Sequence, residues 1–249
     1  MKIIKSVFGF FWAIWGAIWF MIIITIFTIA YAIILTIGGR KYAMACVWFN
    51  FHYVSRILLV LYLIRVKVYG KEKIDPKKTY VIVANHTAQM DIVAGTNATP
   101  QPAKFLAKSE IKYVPFFGYM TKMLAIMVDR KNKESREKSF RLMIDALRNG
   151  ESIFIYPEGT RNRTDQPLKE FKNGAFRVAI MAQAPIAVQT IIGAKALNDP
   201  NGVHLLPGTL KIYWSDPIET TGMTLSDLPG LKAKVKSEML KHILAANAS

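Results

Sequence analysis

From Ser6 to Gly39 the chain carries no charged residue, and apolar side chains run almost unbroken through Phe10-Phe11-Trp12-Ala13-Ile14-Trp15 and Met21-Ile22-Ile23-Ile24. The run exceeds the roughly 20 residues that cross a bilayer core, and no polar stripe gives it a solvated face. It predicts a helix in lipid. A second apolar stretch, Tyr42 to Ile64, is interrupted by Asn50, His52, Ser55 and Arg56. A charge is costly at the hydrocarbon centre, so this stretch predicts an interfacial or tilted helix rather than a simple second span. Aromatic residues recur at Trp12, Trp15, Trp19, Tyr31, Tyr42, Trp48, Tyr53 and Tyr62, as suits the headgroup zone.

Beyond this the pattern changes to an α/β alternation. Short β-branched runs predict strands at Val66 to Tyr69, Tyr80 to Ala84, Ala125 to Val128, Ser152 to Tyr156, Ile186 to Ile192 and Thr209 to Trp214. The clearest helix is Lys133 to Arg148, where Phe140, Met143, Ile144 and Leu147 share one face and Gly150 supplies a stop. Phe176 to Ala184 and Leu231 to Ala246 read as further helices. The expected architecture is α/β, a mixed sheet flanked by helices, in residues 66–249, preceded by a membrane-embedded helix pair in residues 1–65.

The net charge of +16 is unevenly placed: all seven charged residues before Gly70 are positive, and all 17 acidic residues follow it. Lys2 and Lys5 ahead of the apolar run, with Ala30-Tyr31-Ala32, imitate a secretory signal. The run is too long for a signal core and continues through Ile33, Ile34 and Leu35, so it reads as retained. Positive residues at both of its ends leave orientation open, including a helix pair that enters and leaves by one leaflet. The single cysteine, Cys46, excludes an intrachain disulfide, and no ligand cluster has metal spacing. No nucleic-acid motif accompanies the basic excess, which points instead to anionic headgroups or a phosphorylated substrate.

Candidate chemistry lies in two constellations. Asn85-His86-Thr87-Ala88-Gln89-Met90-Asp91 follows the second strand pattern, and Tyr156-Pro157-Glu158-Gly159-Thr160-Arg161-Asn162 follows another strand pattern about 70 residues later. Five positions of continuous helix turn through about 500 degrees, so His86 and Asp91 meet only if His86 sits in the turn leaving the strand and Asp91 in the helix beyond. Asp91 then fixes the imidazole tautomer and raises the basicity of the other nitrogen, making a general base whose nucleophile is a hydroxyl on the substrate. Strand ends are where open sheets place their sites. Gly159 permits close backbone approach, Arg161 offers a planar fork for phosphate, and Glu158 is placed to position a donor or hold Arg161. A hydrolase is disfavoured, since no glycine-x-serine-x-glycine elbow occurs and neither block contains serine.

Together these residues resemble the PlsC-type 1-acyl-sn-glycerol-3-phosphate acyltransferase family, across about Val66 to Trp214. The first block matches in Asn85, His86 and Asp91. The other matches in Pro157 to Arg161, with Tyr156 where phenylalanine is usual and Asn162 where serine is usual. Lys104-Phe105-Leu106-Ala107-Lys108-Ser109-Glu110, Pro115-Phe116-Phe117-Gly118 and Val128-Asp129-Arg130 resemble the intervening block. Ala184-Pro185-Ile186-Ala187-Val188 is a looser fourth, with Ala187 where a second proline is frequent.

The resemblance implies a glycerolipid acyltransferase-like fold and transfer of an acyl group from acyl-CoA or acyl carrier protein to the sn-2 hydroxyl of lysophosphatidic acid. His86 and Asp91 would be catalytic. Arg130 and Arg161 with Lys104 would hold the phosphate, and Glu158, Gly159 and Thr160 would shape that site. No metal or cofactor beyond the thioester donor is implied. The expected location is a membrane, the bacterial inner membrane with the catalytic domain on the cytoplasmic face. Met120, Met123, Leu124 and Met127 read first as core and only second as an acyl-chain lining. Two rivals stay open, an acyltransferase for another hydroxyl acceptor such as a lyso-aminolipid, and a non-catalytic binder of lipid or carrier protein.

Overall fold

The computed structural model describes residues 2–198 and 203–247. The chain opens with α1 (Lys2–Ile37), roughly 54 Å of helix at 1.5 Å per residue. A turn at Gly38 and Gly39, the latter with φ of +82°, reverses it into a second helical run, Arg40–Leu61. That run comprises α2 (Ala43–Phe49), a π-helical turn at Asn50–Val54 and α3 (Ser55–Leu61). Both helices are long and apolar enough to cross a membrane.

Among the described residues seven strands follow: β1 (Ile64–Tyr69), β2 (Val81–Ala84), β3 (Ala103–Lys108), β4 (Ile126–Val128), β5 (Ser152–Ile155), β6 (Ile186–Ile192) and β7 (Gly208–Trp214). They form one mixed sheet in the order β1-β7-β6-β2-β5-β3-β4. From β6 to β4 neighbours run parallel, and the β6–β7 pair is antiparallel, which turns β7 and β1 the other way. The helices α4 (Met90–Ala98), α5 (Phe117–Leu124), α6 (Lys133–Arg148), α7 (Gly174–Ala182), α8 (Ala194–Leu197) and α9 (Leu228–Asn247) complete the chain.

The two-residue period of the strands sorts the core into two layers. Ile82, Ala84, Phe154, Ala187, Leu210 and Ile212 face a layer made by the N-terminal hairpin with α4 and α5. Val81, Val83, Ile153, Ile155, Ile186 and Val188 face α6, α7 and α9. The hairpin is therefore built onto the sheet domain. Its second helix buries Cys46, Val47, Phe51, Val54, Leu58 and Leu59, while Arg56 stays exposed. The expected boundary between residues 65 and 66 falls inside β1, which begins at Ile64.

The strands and helices occur close to where the pattern places them, and α6 has the predicted bounds. Gly150, with φ of +80°, follows its end as expected. One strand departs from the expectation. β3, with the sequence Ala-Lys-Phe-Leu-Ala-Lys, has no β-branched residue, and it is a strand because β5 and β4 pair with it on both sides.

The start of α1 is seated on the domain. Leu205 N–H donates to Gly9 O at 3.1 Å, and the Tyr62 hydroxyl donates to Gly16 O at 3.1 Å. A Cβ on Gly16 would lie 2.9 Å from Leu205 Cδ2 and 3.3 Å from Tyr62 Cε1. Gly16→Leu is expected to wedge this contact apart at about 1–3 kcal/mol, lowering Tm by roughly 3–10 °C in detergent. An unchanged melting curve would show that the start of α1 is not held here.

Candidate active site

The site forms where β2 and β5, adjacent parallel strands, release their chains. Asn85, 1% exposed, ends β2 by using its side chain as a surrogate peptide. Its Nδ2 donates to Ile191 O at 2.9 Å and its Oδ1 accepts from Ile191 N at 2.7 Å, extending the pairing with β6. His86 stands next, in the turn, and Asp91 in the first turn of α4, the arrangement that the five-residue spacing requires.

His86 Nδ1–H donates to Asp91 Oδ2 at 3.1 Å, and the same oxygen accepts from Thr87 N and Ala88 N at 2.5 and 2.7 Å. The carboxylate is fully buried, and the histidine side chain is 14% exposed. Two loop amides and the helix N-terminus suit a buried anion. With Nδ1 as donor, Nε2 is left as the acceptor.

The second constellation packs around this turn. Tyr156 O accepts from Gly159 N at 3.0 Å, closing a β-turn with Pro157 in its second place and Gly159, φ of +75°, in its fourth. Glu158, 2% exposed, turns inward: Oε1 accepts from His86 N at 2.7 Å and Oε2 from Lys169 N at 2.9 Å. Asn162 N donates to His86 O at 2.6 Å. The imidazole stacks on the Tyr156 ring, with centroids 4.2 Å apart and planes at 21°.

Of the six residues expected at the phosphate, the structure gathers five. Arg130 donates to Gly159 O from the end of β4. Thr160 is exposed and takes a hydrogen bond from Lys169 Nζ at 2.8 Å. Arg161 is half-buried and has no side-chain hydrogen bond or ion pair among the described residues. Glu158 and Gly159 form the turn itself, with Glu158 facing backbone amides rather than Arg161.

Lys104 stands apart. Its register partner on β5 is Ile153, which pairs with Val81 at the start of β2, so five residues of extended chain, roughly 16 Å, separate its level from His86. Its ammonium is paired with Glu151 at 2.5 Å. The sequence did not single out Lys169 or Lys172, which the return of the loop brings to Thr160 and Gly159. Arg130, Arg161, Lys169 and Lys172 lack ion-pair partners among the described residues, so the cluster can receive an anion.

Burial pushes the Glu158 carboxyl above the usual glutamate range, opposed by the amides of His86 and Lys169 and reinforced by the charge of Asp91. Burial draws the Arg130 guanidinium below its ordinary value, against a smaller upward pull from Glu110. No group of three or more metal-ligating side chains occurs among the described residues.

The fold and site define an α/β protein with a histidine–aspartate pair and a cationic loop at the carboxyl ends of neighbouring parallel strands. The Acyltransferase family model matches residues 65–191, half of the chain, and the chain belongs to that family. It is 29% identical over 193 residues to a 1-acyl-sn-glycerol-3-phosphate acyltransferase of Saccharomyces cerevisiae, covering 76% of this chain and 62% of that one. It is 31% identical over 178 residues to a putative enzyme of the same name from Caenorhabditis elegans, covering 70% and 62%. The match thus spans less than two thirds of either relative. The fold is that of the 1-acyl-sn-glycerophosphate acyltransferase crystal structure from Thermotoga maritima, with a TM-score of 0.82 and 20% identity over 98% of both chains.

Glu158 binds its proton more tightly folded than unfolded, so its ionisation opposes folding. Its contribution to stability is fullest below the ordinary glutamate value and is lost as pH rises through the raised folded value. Thermal unfolding of wild type and Glu158→Gln against pH is expected to show wild type losing stability relative to the variant across that window. A constant difference would refute the upward shift.

Proposed function

We propose that the protein transfers an acyl group from a thioester, of coenzyme A or acyl carrier protein, to the sn-2 hydroxyl of 1-acyl-sn-glycerol 3-phosphate. The observation that carries this reading is the His86–Asp91 pair beside a cation cluster without ion-pair partners among the described residues. A base alone would serve many hydroxyls; a base next to an anion site suits a phosphorylated one. The names of the relatives point the same way.

In this reading His86 Nε2 removes the hydroxyl proton as the oxygen attacks the thioester carbonyl. Asp91 stabilises the imidazolium that forms. The tetrahedral oxyanion collapses, the carbon–sulfur bond breaks, and the departing thiolate recovers the proton from His86. An ester and a free thiol result, so the step balances without another reactant. Arg161 and Arg130 hold the phosphate, with Lys169 beside them, while Glu158, Gly159 and Thr160 maintain the loop. Lys104 is left outside this site by its place in the sheet.

The hairpin supports a membrane-surface setting. The outer side of α1 exposes Phe11, Ile18, Ile22, Ile26, Ile29, Ile33 and Ile37, an apolar face of a size that marks an interaction surface. The second helix is covered on one side along its length by α4, α5 and β3, while Trp48, Tyr53, Ile57 and Val60 are exposed. A perpendicular span would draw those elements into hydrocarbon, so the hairpin lies along the leaflet and the acceptor reaches the site without its chain crossing water.

The test is thiol release from palmitoyl-CoA by detergent-solubilised protein, with and without 1-acylglycerol 3-phosphate. Release is expected to require the acceptor and to fall about 10²–10⁴-fold in His86→Ala. Arg161→Ala is expected to raise KM for the acceptor about tenfold with a smaller change in kcat, the sign of lost uniform binding. Acceptor-dependent release undiminished in His86→Ala would sink the mechanism.

A further inference from the structure

Two buried polar atoms beside the histidine have no hydrogen-bond partner among the described residues: Asp91 Oδ1 and the Tyr156 hydroxyl. Orphans of this kind are uncommon in folded proteins and destabilise by about 1–3 kcal/mol each if left unmet. The two belong to one constellation. Asp91 holds the His86 ring through its other oxygen, and that ring lies flat on the Tyr156 ring. One atom is an acceptor and the other a donor, so each supplies what the other lacks. No direct bond joins the two, and a buried water is the usual partner of such groups.

We propose that Tyr156 is a positioning residue whose hydroxyl donates to Asp91 Oδ1 across one buried water. Oδ2 already has three donors, all on the His86 side of the carboxylate. A donor at Oδ1 draws charge toward the far oxygen and prevents the carboxylate from turning to satisfy it elsewhere. Burial and the charge of Asp91 both push the phenol well above its ordinary value, so it remains a neutral donor at working pH. The ring has a separate task, since its face supports the imidazole whether or not the hydroxyl is present.

Removing the hydroxyl strips the bridging water of its second partner, so Oδ1 loses its donor and more of the negative charge is left at the service of the imidazolium. Among the described residues the titratable groups in contact with His86 are Asp91 from α4 at the ring nitrogen, Tyr156 from the end of β5 stacked on the ring and Glu158 from the loop after β5 at the backbone N–H, with Arg130 and Lys169 bonded to the adjoining turn. Tyr156→Phe changes only the tyrosine, keeps the stack and removes one oxygen. Protonated His86 is therefore favoured in the variant, and the base is freed only at higher pH.

Two measurements on wild type and Tyr156→Phe decide this. The first is kcat/KM for acceptor-dependent thiol release against pH. Its acid limb is expected to move up by about 0.5–1 pH unit, a three- to tenfold loss on the limb, with the high-pH plateau and acceptor KM within about twofold. This arm rests on the acyl-transfer reading. The second needs no turnover: an NMR titration of ¹³C-histidine-labelled protein in micelles. The His86 signal is assigned among the four histidines by its absence from His86→Gln. Its midpoint is expected to rise by the same amount. A raised midpoint in a protein with no transfer activity would retain the role of Tyr156 and reject the function. Transfer by both proteins with limb and midpoint unmoved would do the reverse. A lowered plateau without any shift would mean that the hydroxyl only packs, and would also overturn the proposal.

Discussion

The site depends on the backbone of His86 being gripped from both sides. Its N–H is taken by the Glu158 carboxylate and its C=O by the Asn162 amide, so the loop after β5 holds the turn after β2 fully paired. A buried carboxylate survives where its oxygens meet donors, and Glu158 meets one backbone N–H on each. The grip needs β2 and β5 to be neighbours in parallel register, which places their exits side by side. Once Glu158 is fixed, Gly159 closes the turn, Arg130 reaches its carbonyl and Arg161 is left without a side-chain partner among the described residues.

The same layering links this site to the hairpin. α4 carries Asp91 on its first turn and packs its opposite side against the π-helical turn and α3. Asn97 Nδ2 donates to Ser55 Oγ across that contact at 3.3 Å. The helix that presents the buried anion is therefore wedged between the sheet and the apolar hairpin, and the two cannot separate without uncovering Ala94 and Ala98. The orientation of His86 and the seating of the apolar hairpin share one packing interface.

Much of this was legible in the sequence where one residue's environment decides its state. Central strands of valine and isoleucine declared themselves, and so did the long apolar helix. The condition for a His86–Asp91 contact was legible from helical geometry, since five residues of continuous helix would keep them apart and only a turn at His86 lets them meet. β3 was not legible, because its alanines and lysines prefer no strand and only its two neighbours make it one. Lys104 was misplaced for the same reason: without β3 its register was unknown, and register puts it at the far end of the sheet. Glu158 was read as a partner for a donor or for Arg161, and its contacts with backbone amides up to 72 positions away leave no mark in a local pattern. The π-helical turn is equally silent, being set by packing against α4.

Two buried carboxylates thus touch one histidine and do different things, and their surroundings decide which does what. Glu158 uses both oxygens on backbone amides, so its chemistry is exhausted in holding the loop. Asp91 sits at the N-terminus of α4, where the helix and two loop amides favour the anion, and its geometry delivers that charge to the ring nitrogen. Exchanging the two side chains would fail on reach as well as charge, since the longer one spans the gap between loops and the shorter one spans a single turn. The cations stand around the turn at Gly159 and not at Asp91. The buried anion is bonded to the ring nitrogen of His86, and the cations belong to a different turn, so the two kinds of charge are carried by separate groups.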